Sequence, residues 1–393
     1  MNKKKMTQSA PELAARELMM EFAHLTGLVS ARIPARRYLW TDAFAVCNFL
    51  GLYQEFHDHE YMRLAVHLVD QVHHVLGRHR PDDQRTGWIS GLDEQAGRRH
   101  PTLGGLRIGK EMNERRSEGP YDGHIEWDRD GQYYHYLTKW MHALNQVSRV
   151  TGEKIYIGWA VELAKSIHAR FTYRARPDEK RMYWKMSIDL SRPLVTSMGH
   201  HDPLDGLITY LQLQASGHEY KLPAKLDLTA EIADMIGICA GKDWATEDPL
   251  GIGELLTAAY KLAQLTRNGQ DEINILKAIL DSARISLMAH GSAMLSKLPA
   301  RHRLAFRELG LSIGLHAVRR MADLFTALPP TAPARLFLPA AEALASHTPL
   351  SGKIESFWLD PANRHTDSWM ANRDINMVML AASLAPDGYL SIK

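Results

Sequence analysis

Only two of the 393 residues are cysteine, Cys47 and Cys239, and each falls within an apolar helical pattern. That excludes a disulfide framework and a cysteine-ligated zinc site, and predicts two reduced, buried thiols. Long apolar runs are missing as well. No window approaches the ~20 continuous apolar residues of a membrane span, and the N-terminus lacks an apolar core followed by a small-residue cleavage site. The expected compartment is therefore the cytoplasm, with no membrane partner. Neither sign of charge dominates: 47 basic against 45 acidic residues leave a formal charge of +2, so no global field argues for nucleic acid. Nucleotide loops are absent too, because Gly104, Gly105 and Gly109 fit neither the Walker nor the dinucleotide spacing.

What is present is helix. The composition, 45% hydrophobic and 23% charged, is that of a globular chain, so disorder is expected only at the lysine-bearing tail, residues 1–10, with residues 11–393 forming one domain. Apolar residues recur at helical spacing over residues 11–25, 41–56, 60–76, 134–152, 155–173, 203–216, 229–240, from 249 onward, 271–295, 304–328, 334–345 and from 369 to about 385. Pro11, Gly77 and the Pro329–Pro330 pair supply start and stop signals. Twelve helices result. Residues 78–125 carry no clear period, and a loop that long in a compact protein is usually functional or disordered. Residues 182–189 alternate, with Met182, Trp184, Met186 and Ile188 opposite Tyr183, Lys185, Ser187 and Asp189, which predicts a short strand or hairpin. Lys185, Ser187 and Asp189 are expected to face the site, with Trp184 and Met186 packed on helices.

The fourth helix is the chemically richest. Glu126, Trp127, Asp128, Arg129, Asp130 and Gly131 precede it, and His135, Lys139, His142 and Asn145 recur along it at three- and four-residue steps, which puts them on one face. Asp130 sits where an N-capping carboxylate would, and a polar stripe is also what a solvated face looks like. Yet Trp127, Tyr133, Tyr134, Tyr136 and Trp140 crowd the same segment. Aromatic planes beside carboxylates and donors suit a sugar-like ligand.

Polar and aromatic clusters also precede other even-numbered helices: Trp40 and Asp42 at the second, His200 to Asp205 at the sixth, Trp244 with Glu247 and Asp248 at the eighth, and His365 to Trp369 at the twelfth. The odd helices lack them. Helices two, eight and twelve are apolar over much of their circumference, as an inner ring would be. This all-α alternation resembles the (α/α)6 barrel of the six-hairpin glycosidase-like superfamily over nearly the whole chain, with an open solenoid as the rival arrangement. The tenth helix departs from the pattern, since Arg301, His302 and Arg303 lead into it without a carboxylate. The resemblance implies a pocket where the inner-helix N-termini converge.

In such a pocket the expected activity is glycoside hydrolysis of a small carbohydrate or oligosaccharide, which needs a proton-donating and a second carboxyl group. The catalytic candidates are Asp128 paired with Asp202 or Asp205. Trp40, Trp127 and Trp369 are candidates to stack on a sugar, and Asp42, Arg107, Lys110, Glu111, Arg129, His135, Lys185, His200, His201 and Asp367 to bind it. Trp40, Asp42, Asp128, His135, Asp202, Asp205 and Trp369 are expected around one concavity. A sugar epimerase or isomerase using His135, His200, His201 or His365 is the second reading. A uronate lyase with a tyrosine, such as Tyr134 or Tyr183, or a histidine as base is the third, and a helical scaffold or binding protein the non-enzymatic one. No metal and no other cofactor is expected, because His200, His201 and Asp202, adjacent in sequence, seldom converge on one ion. The sequence assigns no oligomeric state.

Overall fold

The computed structural model describes residues 9–30, 32–177, 179–265, 270–290 and 298–392. The expected tail therefore lies mostly outside the described residues. Its end, Ser9, opens the first helix, with its backbone N–H donating to Glu12 Oε2 at 2.8 Å.

Among the described residues there are twelve principal helices: α1 (Ala10–Leu25), α2 (Leu39–Phe56), α3 (His59–Leu76), α4 (Tyr134–Thr151), α5 (Lys154–Phe171), α6 (Asp202–Glu219), α7 (Thr229–Cys239), α8 (Pro249–Leu265), α9 (Gln270–Ala289), α10 (Ala305–Ala327), α11 (Pro349–Leu359) and α12 (Arg373–Leu384). The even helices pack side by side in the order α2, α4, α6, α8, α10, α12, and α12 returns to α2, closing the ring. The odd helices lie outside. α3 covers α2, α5 bridges α4 and α6, α7 covers α6, α9 covers α8, α11 covers α10, and α1 fills the groove between α12 and α2. Sequence sets this division: α2 is buried at every position from Leu39 to Leu50, whereas α3 buries one stripe, from Tyr61 and Leu64 to Leu76.

At one seam the backbones themselves touch. A Cβ on Gly253 of α8 would lie 2.0 Å from the Gly310 carbonyl oxygen of α10, and one on Gly314 would meet Gly253 Cα at 2.6 Å. Only glycine allows this approach, and the neighbouring Glu254 lines the cavity on the barrel axis. The far end is sealed by the C-terminal turn Asp387–Leu390, where Tyr389 stacks on Phe44 at 4.3 Å.

The expected eleventh helix, residues 334–345, is a 3-10 turn (Pro333–Phe337) followed by a short helix (Leu338–Ala345). The outer helix proper starts afresh at Pro349, with proline in its first turn. Residues 291–295 of the expected ninth helix lie outside the described residues. Strands β1 (Gln132–Tyr133), β4 (Lys185–Met186) and β5 (Pro193–Val195) form a small antiparallel sheet at the entrance to α4, and β2 (Thr172–Arg176) pairs with β3 (Glu179–Met182) in a hairpin. No described helix is long and apolar enough to cross a membrane.

Candidate active site

The polar stripe of α4 turns inward. Lys139 and His142 line a cavity on the barrel axis together with Asp205 of α6, Glu254 and Lys261 of α8, Gly310 of α10, Met379 of α12 and Phe44 of α2, so all six inner helices contribute. Asn145, further along the stripe, is fully buried. Lys139 Nζ lies 2.7 Å from Asp205 Oδ2 and 3.4 Å from Glu254 Oε1. Burial alone would lower this lysine, but the charges of Asp205 and Glu254 hold its pKa well above the ordinary value. Burial pushes Glu254 up, with Lys139 opposing. Both carboxylates keep some access, with 13% and 22% of their side chains exposed.

Glu254, Thr257 and Lys261 follow each other along one face of α8, which carries Lys261 about two turns, ~10 Å, below Glu254. Its ammonium lies 4.1 Å from the Tyr389 ring centroid. Burial, reinforced by the charge of Lys139, brings it down to about 7. Burial likewise depresses His142, whose Nε2 donates to the Tyr389 carbonyl at 2.9 Å. Its Nδ1 is then an acceptor, satisfied by the Gln212 side-chain amide 3.0 Å away when that amide is turned to donate.

At the mouth, His135 Nδ1 lies 3.5 Å from Asp202 Oδ1 and 3.3 Å from the indole Nε1 of Trp184. Burial would lower His135, yet the charge and hydrogen bond of Asp202, with Glu254 behind them, hold it above the usual histidine value. The second oxygen of Asp202 is buried without a hydrogen-bond partner. Gly199 makes room for this carboxylate, since a Cβ there would lie 2.3 Å from Oδ1. The axial cavity itself measures about 40 Å³, room for a few waters at ~10–15 Å³ of accessible volume each.

The remaining candidates divide. Trp40 packs against Phe44 and Tyr136 on the wall of the mouth. Asp42, Lys110 and Glu111 line a separate rim cleft of about 450 Å³ between α2 and α12. There Asp42 is paired with Arg37 at 3.4 Å, and burial raises it to about 6. Asp128 and Trp127 are exposed on the rim, at the end of a short helix, Gly123–Asp128. Arg129 donates to the Asn113 carbonyl. His200 and His201 donate to the carbonyls of Ala245 and Trp244, tying the α6 entrance to that of α8. Asp367 is exposed, while Trp369 is buried and stacked on Trp358 at 5.6 Å. The seven side chains expected around one concavity do not share one: of them, only Asp205 lines the axial cavity, with His135 and Asp202 paired above it.

Two local expectations are also corrected. Asp130 does not cap α4. Its fully buried carboxylate takes Arg107 at 3.0 Å, Arg80 at 3.3 Å and the backbone N–H groups of Gly109 and Gly131, so Arg107 and Asp130 anchor the long loop. Lys185 turns away from the axis, its ammonium held by the carbonyls of Glu126 and Arg129 and by Glu126 Oε1. Ser187 and Asp189 bond to each other in a turn at 2.7 Å. It is Trp184 that reaches the mouth. Glu254 and Lys261 escaped the sequence reading, although a charge inside an otherwise apolar helix was the signal for both. Among the described residues, no three His, Cys, Asp or Glu side chains gather as a metal site requires.

No family model and no curated protein sequence matches this chain. Solved structures do. The α-mannanase of Bacteroides thetaiotaomicron aligns over 97% of this chain and 97% of its own, with a TM-score of 0.54 at 10% identity. The chain is an (α/α)6 barrel. An inactive double aspartate-to-alanine variant of the α-1,6-mannanase of Salegentibacter sp. HEL1_6, in complex with α-1,6-mannotetrose, aligns over 96% of this chain and 99% of its own, with a TM-score of 0.53 at 11% identity. A cellobiose 2-epimerase from Spirochaeta thermophila aligns over 95% and 98%, with a TM-score of 0.49 at 13% identity. Identities this low speak to the fold alone.

Proposed function

We propose that this protein is a carbohydrate-active enzyme of the glycoside-hydrolase kind, with Glu254 as proton donor and Asp205 as the carboxylate that attacks the sugar. The observation that carries this reading is the single ammonium of Lys139 standing against both carboxylates. Hydrolysis needs two carboxyl groups whose surroundings differ. Glu254, raised by burial, suits the group that must hold a proton, and Asp205, with the shorter lysine contact, the group that attacks. Because one Nζ touches both, their facing oxygens stand nearer than the lower bound of about 6.5 Å for an inverting pair, which favours retention. Lys139 is a positioning residue that fixes this geometry.

The mannanase in complex with mannotetrose makes a mannan-type oligosaccharide the first substrate to try. Its chemistry does not carry over by position. That protein's inactive variant lacks two consecutive aspartates, whereas the one consecutive pair in this sequence, Asp82 and Asp83, is engaged by Arg80 and Arg85.

A second reading, proton transfer beside a sugar carbonyl as in an epimerase, is favoured by the His135–Asp202 pair at the mouth, a histidine oriented by a carboxylate. The two are separated by incubating the protein with mannan-type and glucan-type oligosaccharides and following the products by proton NMR. Hydrolysis with retained anomeric configuration supports the first reading. Inversion at C2 of the reducing sugar, without chain cleavage, replaces it with the second.

A further inference from the structure

Beside the mouth, on the rim, lies a slot of about 420 Å³ lined by Trp127, Trp184, Tyr133, Tyr121, His124 and Ser197. Trp127 is 48% exposed and Tyr121 62%, an unusual display of aromatic area in a fold that buries most of its large rings. Trp127 stands edge-on to Trp184, with centroids 4.6 Å apart, and 6.2 Å from Tyr133.

The charges beneath are spent internally. Glu126 is paired with Arg115 at 3.1 Å and with Lys185 at 3.3 Å, and the Lys185 ammonium sits 5.3 Å from the Tyr133 ring centroid. What the slot offers a ligand is therefore aromatic surface edged with an imidazole and hydroxyl groups, rather than a net field. That combination matches a pyranose, which has a C–H face to lay on an aromatic ring and a hydroxyl edge for hydrogen bonds.

Continuity ties the slot to the axial site. The Trp184 indole that walls it also reaches His135, and from Tyr133 ring contacts run through Tyr136 at 5.2 Å and Trp40 at 6.4 Å to Phe44 at 4.7 Å, which lines the axial cavity. The rim slot, at about 420 Å³, is the roomier of the two.

We infer that the slot holds a further sugar ring of the chain whose bond is broken at the axis, so that the substrate is an oligosaccharide and not a monosaccharide derivative. This rests on the proposed hydrolase reading and narrows its substrate class.

The test is isothermal titration of the full-length protein with mannose and glucose and with tetrasaccharides of each, using four variants beside the wild type. At least one tetrasaccharide should bind about tenfold tighter than its monosaccharide, a difference of ~1.4 kcal/mol. Trp127→Ala, which removes the platform, and Ser197→Trp, which fills the slot from its exposed edge, should both erase that gain. Ile125→Ala, exposed on the same short helix but outside the slot, should keep it. Asp205→Asn should keep it while losing turnover. A length-dependent gain that survives both Trp127→Ala and Ser197→Trp overturns the slot and leaves the hydrolase reading standing. A gain that depends on Trp127 in a protein that cleaves no oligosaccharide retains the slot as a sugar site and removes the hydrolase. Absence of binding by any of the four sugars removes both.

Discussion

His135 Nδ1 lies 3.5 Å from Asp202 Oδ1 across the entrance between α4 and α6, with the Trp184 indole Nε1 3.3 Å away on the other side. One nitrogen cannot serve both partners in the same state. Protonated, it donates to Asp202; deprotonated, it accepts from Trp184.

Asp202 should therefore set the titration of His135. In Asp202→Asn the charge that opposes burial is gone, and the histidine pKa, followed by NMR, should fall from above the ordinary value of about 6.5 to below it. Because the folded value is raised, the pair stabilises the protein fully below about pH 6.5, and this contribution fades as pH rises through the folded value. An unchanged titration in the variant would show that the two side chains do not interact.

Lys261 supplies a prediction of opposite sign. Its folded pKa, about 7, lies below that of an unfolded lysine at about 10.4, so the unfolded chain binds the extra proton between these values and stability rises with pH across that window. Lys261→Met should melt higher than wild type at about pH 6, with the advantage shrinking toward about pH 10. Thermal melts at several pH values check it. A constant difference would mean that the ammonium carries no burial penalty.

The glycine seam should tolerate no side chain. Gly253→Ala places a methyl group against the Gly310 carbonyl, and overpacking of this kind costs about 3 kcal/mol. Urea unfolding of Gly253→Ala beside Gly237→Ala, where a Cβ meets nothing within 4 Å, isolates the effect. Equal stabilities would show that the two helices can part.

How far the sequence could be read follows from where the signals lie. The alternation of apolar and amphipathic helices was legible because burial on all sides and burial on one stripe leave different local periodicities. So was the inward face of α4, where His135, Lys139 and His142 recur at helical steps. Asp130 was misread as a cap because its partners, Arg80 and Arg107, come from a distant part of the loop, and no local pattern encodes such an ion pair. Helix entrances point to Asp128, which is exposed on the rim, and not to Glu254, which sits one turn inside α8 and lines the axial cavity. Trp369 looked like a sugar platform by position, yet it is stacked in the core on Trp358, a residue of a helix absent from the sequence reading.

The most direct test of the axial carboxylates is the turnover of Asp205→Asn and Glu254→Gln on an oligosaccharide that the wild type hydrolyses. Each amide keeps the size of the side chain and removes its ionisable oxygen, so each variant should lose about 10² to 10⁴ in kcat while keeping its fold by circular dichroism. Retention of near-wild-type kcat by either folded variant would contradict the assignment of catalysis to Asp205 and Glu254.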